Sequence, residues 1–370
     1  MTDWAVLTGE YPPQPGGVSD YARLVARGLA AAGDRVRVYA PATATAEESD
    51  PGVEVRRLPG RFGPRALARL DRLLAARPRP DHILVQYVPQ AYGMKGMNVG
   101  FAAWLAARAL RAAPVWVMFH EVATPFAWQP LRHAALAGIT RAMARLAAGA
   151  AERVFVSIPA WGDALRRLCP RVRPPRWLPV PSTLEEYAGV APAARGRFAP
   201  AGRPLVGHFG TYGLHVATML TATLAELATL APDAAVLLVG RGSAEFAGRL
   251  VSARPELAGR VAASGGLSGA DAAAHLKACD LLIQPFPDGV SSRRTSAMAG
   301  LACGLPVVTN LGPLSEPVWA GAVAAAPTPD PAAVARLGRA GRPATPRPAA
   351  RPPRGRGSAP RPPPRPTPAR

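Results

Sequence analysis

The 370-residue sequence has few of the residues that build disulfide frameworks or zinc sites. Only three cysteines occur, Cys169, Cys279 and Cys303, and none has a partner at C-x-x-C spacing. Disulfide scaffolds and structural zinc sites need a denser and more regular cysteine pattern. This scarcity argues against both and is typical of a protein in a reducing compartment.

The sequence also lacks long apolar runs and a basic start followed by an apolar stretch. Its longest uncharged run, residues 295–315, is interrupted by several glycines and prolines. A membrane span needs about 20 continuous apolar residues, and a secretory leader needs a basic then an apolar region. We therefore expect a cytoplasmic protein without a cleaved leader.

Acidic residues and lysine are scarce, and the charge is unevenly distributed. The net charge is +20, and only Lys95 and Lys277 are lysine among the 44 basic residues. From residue 331 onward there are ten arginines and no acid. Residues 336–370 have almost no large apolar side chains, so the composition predicts a disordered Pro/Arg-rich tail.

Two interpretations of the tail stay open. A basic tail can bind nucleic acid or an anionic membrane. Alternatively, a shifted reading frame in GC-rich DNA produces the same residue types, and the abrupt end of the helical pattern after residue 330 favours this second reading. No nucleic-acid-binding motif occurs elsewhere, so a nucleic-acid partner is not expected.

Before the tail, apolar strand-like runs alternate with amphipathic helical segments. The predicted strands are residues 4–8, 35–40, 82–87, 115–120, 153–157, 205–210, 234–240, 260–265, 280–286 and 305–310. Such β–α alternation predicts parallel, doubly wound α/β sheets. A Pro/Gly/Arg-rich stretch divides it, which predicts a domain at 1–185, a linker at 186–204 and a second domain at 205–335.

Glycine-rich turns follow several of these strands. Gly16 and Gly17 precede the first helix, and Gly240 and Gly242 follow the strand at 234–240. Glycine lets the backbone approach a ligand closely, and the start of a helix favours anions. Each turn alone is a weak signal, since an ordinary strand–helix connection has the same composition.

His120 ends the apolar strand in "VWVMFH". Ligands of doubly wound folds bind beyond the carboxyl ends of the strands, so this imidazole is expected at the cleft between the domains. A hydrogen-bonded structural histidine is the alternative. Glu121 beside it is a weaker candidate.

The stretch "DGVSSRRTSAMAGLACGLPVV", residues 288–308, places two arginines where a helix is predicted to start. Arg293 and Arg294 stand beside Ser291, Ser292 and Thr295. Guanidinium groups match phosphate oxygens in bidentate fashion, and the first turn adds backbone donors. The sequence therefore predicts a diphosphate site here, with a solvated helix start as the alternative.

The ordered motifs resemble GT-B glycosyltransferases of family 4, also called glycosyl transferases group 1. The likeness lies in "TGEYPPQPGGVSDYARLVARGLAAAGDRVRVYAP" (8–41), "VMFHE" (117–121), "VGHFG" (206–210), "LLVGRGS" (237–243) and "LACGLPVVTNLGPLSEPV" (301–318). The resemblance implies two Rossmann-like domains facing across a cleft. The C-terminal domain would bind a nucleotide-sugar donor, and the N-terminal domain would bind a glycan, lipid-linked or small-molecule acceptor.

The resemblance also implies roles for single residues. His120 would contact the transferred sugar, and Gly16 and Gly17 would lie near the donor phosphates or the acceptor. Glu316 occupies the family's acidic position after the donor-site strand. Transfer with retention is implied, with no essential metal and no cofactor besides the donor.

The sequence departs from the family in three places. Ser291 and Ala299 stand where the family has two glutamates. The segment from Gly210 and Thr211 onward, "GTYGLHV", lacks the family's Arg and Lys, so Arg293 and Arg294 are the candidates to replace them. The Pro/Arg tail stands where terminal helices would complete the donor domain.

These departures leave other functions open. A degenerate, non-catalytic GT-B protein would explain the missing glutamates. A nucleotide-sugar hydrolase or epimerase would need acid–base carboxylates that the motifs do not supply. The helix predicted near 131–149, with Leu136, Ile139, Met143 and Leu146 on one side, is either a domain helix or a peripheral contact with an anionic membrane.

Overall fold

The computed structural model describes residues 1–44, 50–110, 113–126, 131–184, 192–199 and 203–326. The predicted tail at 336–370, and the end of the second predicted domain, lie outside these residues. Within them the α/β class is confirmed, with two parallel sheets flanked by helices.

The N-terminal sheet has seven strands in the order β3-β2-β1-β4-β5-β6-β7. They are β1 (Asp3–Thr8), β2 (Arg35–Pro41), β3 (Val53–Leu58), β4 (His82–Tyr87), β5 (Val115–Phe119), β6 (Arg153–Val156) and β7 (Arg176–Trp177). The helices are α1 (Gly17–Ala31), α2 (Pro64–Ala75), α3 (Val99–Ala109), α4 (Leu131–Ala150) and α5 (Pro159–Leu168). One apolar core lies on each face of the sheet, because buried parallel strands are apolar on both sides.

The C-terminal sheet repeats this arrangement with six strands in the order β10-β9-β8-β11-β12-β13. They are β8 (Leu205–Phe209), β9 (Ala235–Val239), β10 (Val261–Ala263), β11 (Leu281–Gln284), β12 (Val307–Asn310) and β13 (Ala324–Ala326). The helices are α6 (Pro192–Phe198), α7 (Leu214–Leu230), α8 (Ser243–Ala253), α9 (Gly269–Ala278), α10 (Thr295–Ala302) and α11 (Trp319–Ala322). Two further cores cover its faces.

Three details differ from the sequence reading. β3 was not predicted, because its alternating charged residues belong to an edge strand that is only half buried. The predicted linker contains α6, which Arg195 holds to the second domain through both carboxylate oxygens of Asp280, at 2.9 and 3.0 Å. Bidentate pairing of this kind is a strong, oriented contact.

The buried face of α4 is also different from the one predicted. Its buried residues are Ala137, Thr140, Met143, Ala144, Ala147 and Ala148. Leu146, assigned to the apolar side, is 36% exposed. The helix packs against α3, and small side chains let the two helices approach closely.

The loop after β1 is anchored by a buried carboxylate. Asp50, whose side chain is 1% exposed, accepts hydrogen bonds from Arg23 Nε at 2.6 Å, Arg27 Nε at 2.8 Å and the Tyr11 hydroxyl at 2.8 Å. Burial, followed by the bond to Asp50, raises the pKa of Tyr11. This network joins α1 to the loop that leads to Gly16 and Gly17.

Replacing Asp50 with alanine is expected to reduce the free energy of unfolding by about 1–3 kcal/mol, because the buried Tyr11 hydroxyl loses its acceptor and two partly exposed arginines lose this buried carboxylate. Urea denaturation measures this change. Asp163→Ala is the control, since its pair with Arg166 is more than half exposed and such pairs contribute less than about 1 kcal/mol. Equal losses in the two variants would contradict the assignment of Asp50 as the anchor.

Candidate active site

In each sheet the strand order reverses at one point, and the candidate residues lie beyond the strand ends near these two points. β1 and β4 are neighbours in the first sheet, and β8 and β11 are neighbours in the second. After the two strands of each pair, the chain continues toward opposite faces of the sheet. A crevice forms beyond the carboxyl ends of such strands. The turn at Gly16, His120 and the stretch from Asp288 all lie at this edge.

The first Gly-rich turn faces the start of α10 across the domains. A Cβ placed on Gly17 would have Thr295 Oγ1 as its nearest neighbour, at 3.9 Å. A Cβ on Gly16 would lie 2.4 Å from Glu10 Oε1, so a larger residue there would displace the carboxylate. The structure therefore places Gly17 next to the start of α10, and the part of Gly16 and Gly17 in donor binding stays a prediction.

The two helix starts in the crevice differ in whether an anion already occupies them. At α1, Glu10 Oε1 accepts a hydrogen bond from Ser19 N at 3.1 Å, and burial raises the pKa of Glu10. At α10, no side chain caps the helix and the first turn holds no acid. Ser291, fully buried just before it, has a hydroxyl without a hydrogen-bond partner in the described part of the chain. An external anion is therefore favoured at α10 rather than at α1.

Arg293 and Arg294 share one carboxylate at the start of α10. Each guanidinium donates to a different oxygen of Asp288. Burial would raise the pKa of Asp288, but Arg294 and Arg293 outweigh it and hold that pKa below its usual value. The three residues together keep one positive charge, and the buried Nε atoms of both arginines have no hydrogen-bond partner among the described residues.

Arg293 also connects the two domains. Its Nη1 lies 3.3 Å from Glu121 Oε1, and its guanidinium carbon lies 5.6 Å from the centre of the Trp161 ring. Arg294 stays within its own domain, where it lies 4.8 Å from the centre of the Phe286 ring. The two arginines are thus held over the crevice by different partners.

Ser292 and Glu316 form part of a contact between the two domains. Ser292 N donates to the Glu316 carboxylate at 3.1 Å, and Ser292 Oγ contacts Glu316 and lies 2.9 Å from Ser157 O. Val180 N donates to Ser292 O at 2.9 Å, and Trp177 Nε1 donates to Ser292 Oγ at 3.2 Å. The polar groups of Ser292 are therefore paired inside the protein, and its part in donor binding stays a prediction.

Glu316 is paired inside the protein in the same way. Its carboxylate is 5% exposed and accepts from Ser292 and from Trp319 Nε1, the latter at 2.6 Å. These donors hold the carboxylate in one place, and its part in donor binding stays a prediction.

His120 is buried next to the contact between the domains, and its side chain is neutral. It is 7% exposed, and burial lowers its pKa to about 3. Its Nε2 lies 2.8 Å from Gln86 Oε1, and the Tyr21 ring packs edge-on against it. Its backbone oxygen accepts from Trp161 Nε1 at 2.8 Å. At neutral pH His120 is a hydrogen-bonding group and not a cation.

The remaining predicted site residues, Gly210, Thr211, Gly240 and Gly242, lie together after β8 and β9. A Cβ on Gly240, where φ is 115°, would lie 2.3 Å from Gly210 O, so the turn requires glycine there. Gly242, at φ 79°, begins α8 next to Thr211 O. The structure brings all four residues together, and His208 Nε2 lies behind Gly210 without a partner in the described chain.

Several residues of the site have no signal in the sequence. Gln86 lies in a predicted strand, Glu10 and Asp288 lie in predicted loops, and Trp161 lies in a segment for which the sequence pattern predicts no element. Their roles depend on which loops become neighbours. Among the described residues no group of His, Cys, Asp and Glu could hold a metal ion, and no helix is both long and apolar enough to cross a membrane.

The buried neutral histidines predict a pH dependence of stability. Burial lowers the pKa of His120 to about 3 and that of His208 to about 4, from an ordinary value of 6.5. Below pH 6.5 the unfolded chain therefore binds protons that the folded chain excludes, so stability falls as the pH falls. From pH 7 to pH 5 each histidine is expected to cost about 2 kcal/mol of unfolding free energy.

Urea denaturation at the two pH values measures this loss, and His208→Asn should remove about half of it. Asparagine can still donate to Ile283 O, as His208 Nδ1 does at 2.8 Å. Comparing variant with wild type cancels the contribution of the carboxylates. A slope unchanged by the substitution would contradict the neutral state of His208.

Comparisons with known proteins agree with this fold. Residues 16–183 match the model of the Glycosyl transferase 4-like domain. No curated protein matches the chain. Among solved structures, sucrose-phosphate synthase from Thermosynechococcus elongatus is 20% identical, with a TM-score of 0.70 over 92% of this chain and 89% of that one.

Two other solved structures cover as much of the chain. Anabaena HepE, in complex with UDP and glucose, is 19% identical, with a TM-score of 0.61 over 92% of this chain and 89% of that one. WaaG, a glycosyltransferase involved in lipopolysaccharide biosynthesis, is 18% identical, with a TM-score of 0.59 over 91% and 90%. The resemblance found in the sequence is confirmed at the level of the fold: the chain has the GT-B fold, and its residues 16–183 match the model of a glycosyl transferase 4-like domain.

Proposed function

We propose that this protein transfers a sugar from a nucleotide-sugar donor to an acceptor, and that the donor diphosphate binds at the start of α10. The observation that carries the proposal is the uncapped first turn of α10 beside Arg293, Arg294 and the unbonded hydroxyl of Ser291. HepE, which shares the fold, was solved with UDP and glucose.

The diphosphate would exchange places with the carboxylate of Asp288. Both guanidinium groups reach Asp288 in the free protein, and a phosphate carries more charge and more acceptor oxygens than a carboxylate. As the bond to the sugar breaks, negative charge builds up on the leaving diphosphate. Two fixed guanidinium groups and the backbone N–H groups of α10 stabilise that charge, and these are the groups that would make a metal ion unnecessary.

His120 would lie on the sugar side of the bond that breaks. Through Glu121 and Trp161 its strand end is connected to Arg293, so the proposed sugar and diphosphate sites would be adjacent. A neutral imidazole orients a hydroxyl group without adding charge. Retention at the anomeric carbon is what the family resemblance implies, and it is part of this proposal.

The acceptor would enter from the N-terminal domain, as a glycan, a lipid-linked sugar or a small molecule. A lipid-linked acceptor would bring the protein to the inner face of a membrane. The exposed Leu131, Arg145 and Leu146 of α4 would support such a contact.

A second candidate function is donor binding without catalysis. Ser291 and Ala299 occupy the positions of the two family glutamates, and both are buried, with 0% and 1% exposure. Neither supplies a carboxylate to the crevice. Binding of a donor without release of free nucleotide, in the presence of any acceptor, would favour this candidate.

The two arginines provide the direct test of the donor site. The purified chain is titrated with UDP-, GDP- and ADP-sugars and with the free diphosphates, by calorimetry and thermal shift. One base is expected to bind and to raise the melting temperature. The double variant Arg293→Ala/Arg294→Ala should weaken binding at least about 100-fold, because each charged hydrogen bond contributes about 1.5–3 kcal/mol.

Arg166→Ala/Arg167→Ala is the matched control, since it removes the same charge from exposed positions on α5. Unchanged donor affinity in the α10 double variant, with a normal melting temperature, would overturn the assignment of the diphosphate site.

A further inference from the structure

Gln86 and His120 end two neighbouring strands of the N-terminal sheet. Gln86 pairs with Met118 in the register of β4 and β5, and His120 N donates to Tyr87 O at 3.0 Å. The Gln86 side chain belongs to a residue that is 1% exposed. Its place is therefore determined by two parallel strands and not by a mobile loop.

The hydrogen bond between the two side chains determines which nitrogen of His120 carries the proton. Gln86 Oε1 is an acceptor only, so His120 Nε2, 2.8 Å away, must donate. A neutral imidazole has one N–H, and Nδ1 is then left with a lone pair. Nδ1 has no hydrogen-bond partner in the described chain, and it is not among the fully buried atoms that lack one, so it keeps a small exposed area.

We propose that Gln86 is a positioning residue that holds His120 as the Nε2–H tautomer, so that Nδ1 accepts a hydrogen bond from one hydroxyl of the transferred sugar. The inference rests on the proposed function, because it needs a sugar beside His120. It names the donor class: a hexosyl group with a free hydroxyl at that position. A carboxylate there would place an acceptor against an acceptor, and a deoxy sugar would leave Nδ1 unpaired.

The groups around His120 agree with an Nε2 that donates and an Nδ1 that accepts. Tyr21 presents the edge of its ring to the imidazole, with ring centres 4.8 Å apart, and supplies no carboxylate. Ser157 Oγ and Trp161 Nε1 both bond the backbone oxygen of His120 and not its ring. Glu121, the next residue, is paired with Arg293. Gln86 is therefore the side chain that hydrogen-bonds the imidazole in the described structure.

The tautomer is tested without any ligand by nitrogen NMR of the full chain labelled at histidine, with His120→Asn identifying the signal. The wild type should show a protonated Nε2 and an unprotonated Nδ1, unchanged between pH 5 and pH 8. Gln86→Met, which keeps the length but removes the acceptor, should give a mixture of tautomers. A protonated Nδ1 in the wild type would overturn the proposal.

The specificity is tested with a nucleoside diphosphate hexose, its single-deoxy analogues and the corresponding uronate. In the wild type one deoxy analogue should bind about 10-fold more weakly than the parent. The uronate should bind more weakly too if it replaces that same hydroxyl. In Gln86→Met, the difference in affinity between the parent and that deoxy analogue should fall below about threefold. Gln90→Met, at an exposed glutamine of the same domain, should retain the wild-type pattern.

The free nucleoside diphosphate separates the two possible failures. If it does not bind the wild type, the proposed function fails, while the NMR result still decides the tautomer. Suppose instead that the free diphosphate binds equally to wild type and to Gln86→Met, and that every deoxy analogue binds the wild type as tightly as the parent sugar nucleotide does. In that case only this inference fails, and the proposed function does not. Both wild-type measurements decide the matter even if Gln86→Met does not fold.

Discussion

The reversal of strand order in each sheet is the constraint on which the rest of the site depends. Because β1 lies beside β4, and β8 beside β11, loops that are far apart in sequence meet beyond the same strand ends. The Gly16–Gly17 turn then faces Thr295, and the end of β5 faces Arg293. No single motif would produce this convergence, since each loop supplies only one wall of the crevice.

Charge balance decides what the crevice can bind. Glu10 already satisfies the start of α1, whereas the start of α10 has no cap and lies beside two arginines. Asp288 contacts both of them, and Glu121 pairs with Arg293. The two cationic side chains therefore lie on one side of the crevice, next to a neutral histidine. This asymmetry suits a ligand with an anionic end and a hydroxyl-rich end, as a nucleotide-sugar has.

The domain interface uses polar groups that the sequence suggested for ligand binding. Ser292 and Glu316 form a buried hydrogen-bonded contact with Ser157 and Trp177 of the other domain. A buried polar group that is fully paired stabilises one geometry, because separating it leaves unpaired donors and acceptors. The same helix start thus serves two purposes: Ser292 joins the domains, and Arg293 and Arg294 face the crevice.

The sequence by itself determined the fold class, the two-domain division and most strands, because apolar runs of β length alternate with amphipathic helices. Ordered motifs were enough to indicate the glycosyltransferase resemblance and to single out His120, Arg293 and Arg294. Only the tertiary structure decided which partners these groups have inside the protein. Gln86, Glu10 and Asp288 act through partners 34, 9 and 5 residues away. Such pairings, and the use of Glu316 inside the protein, depend on which loops meet in space, and a linear pattern does not contain that information.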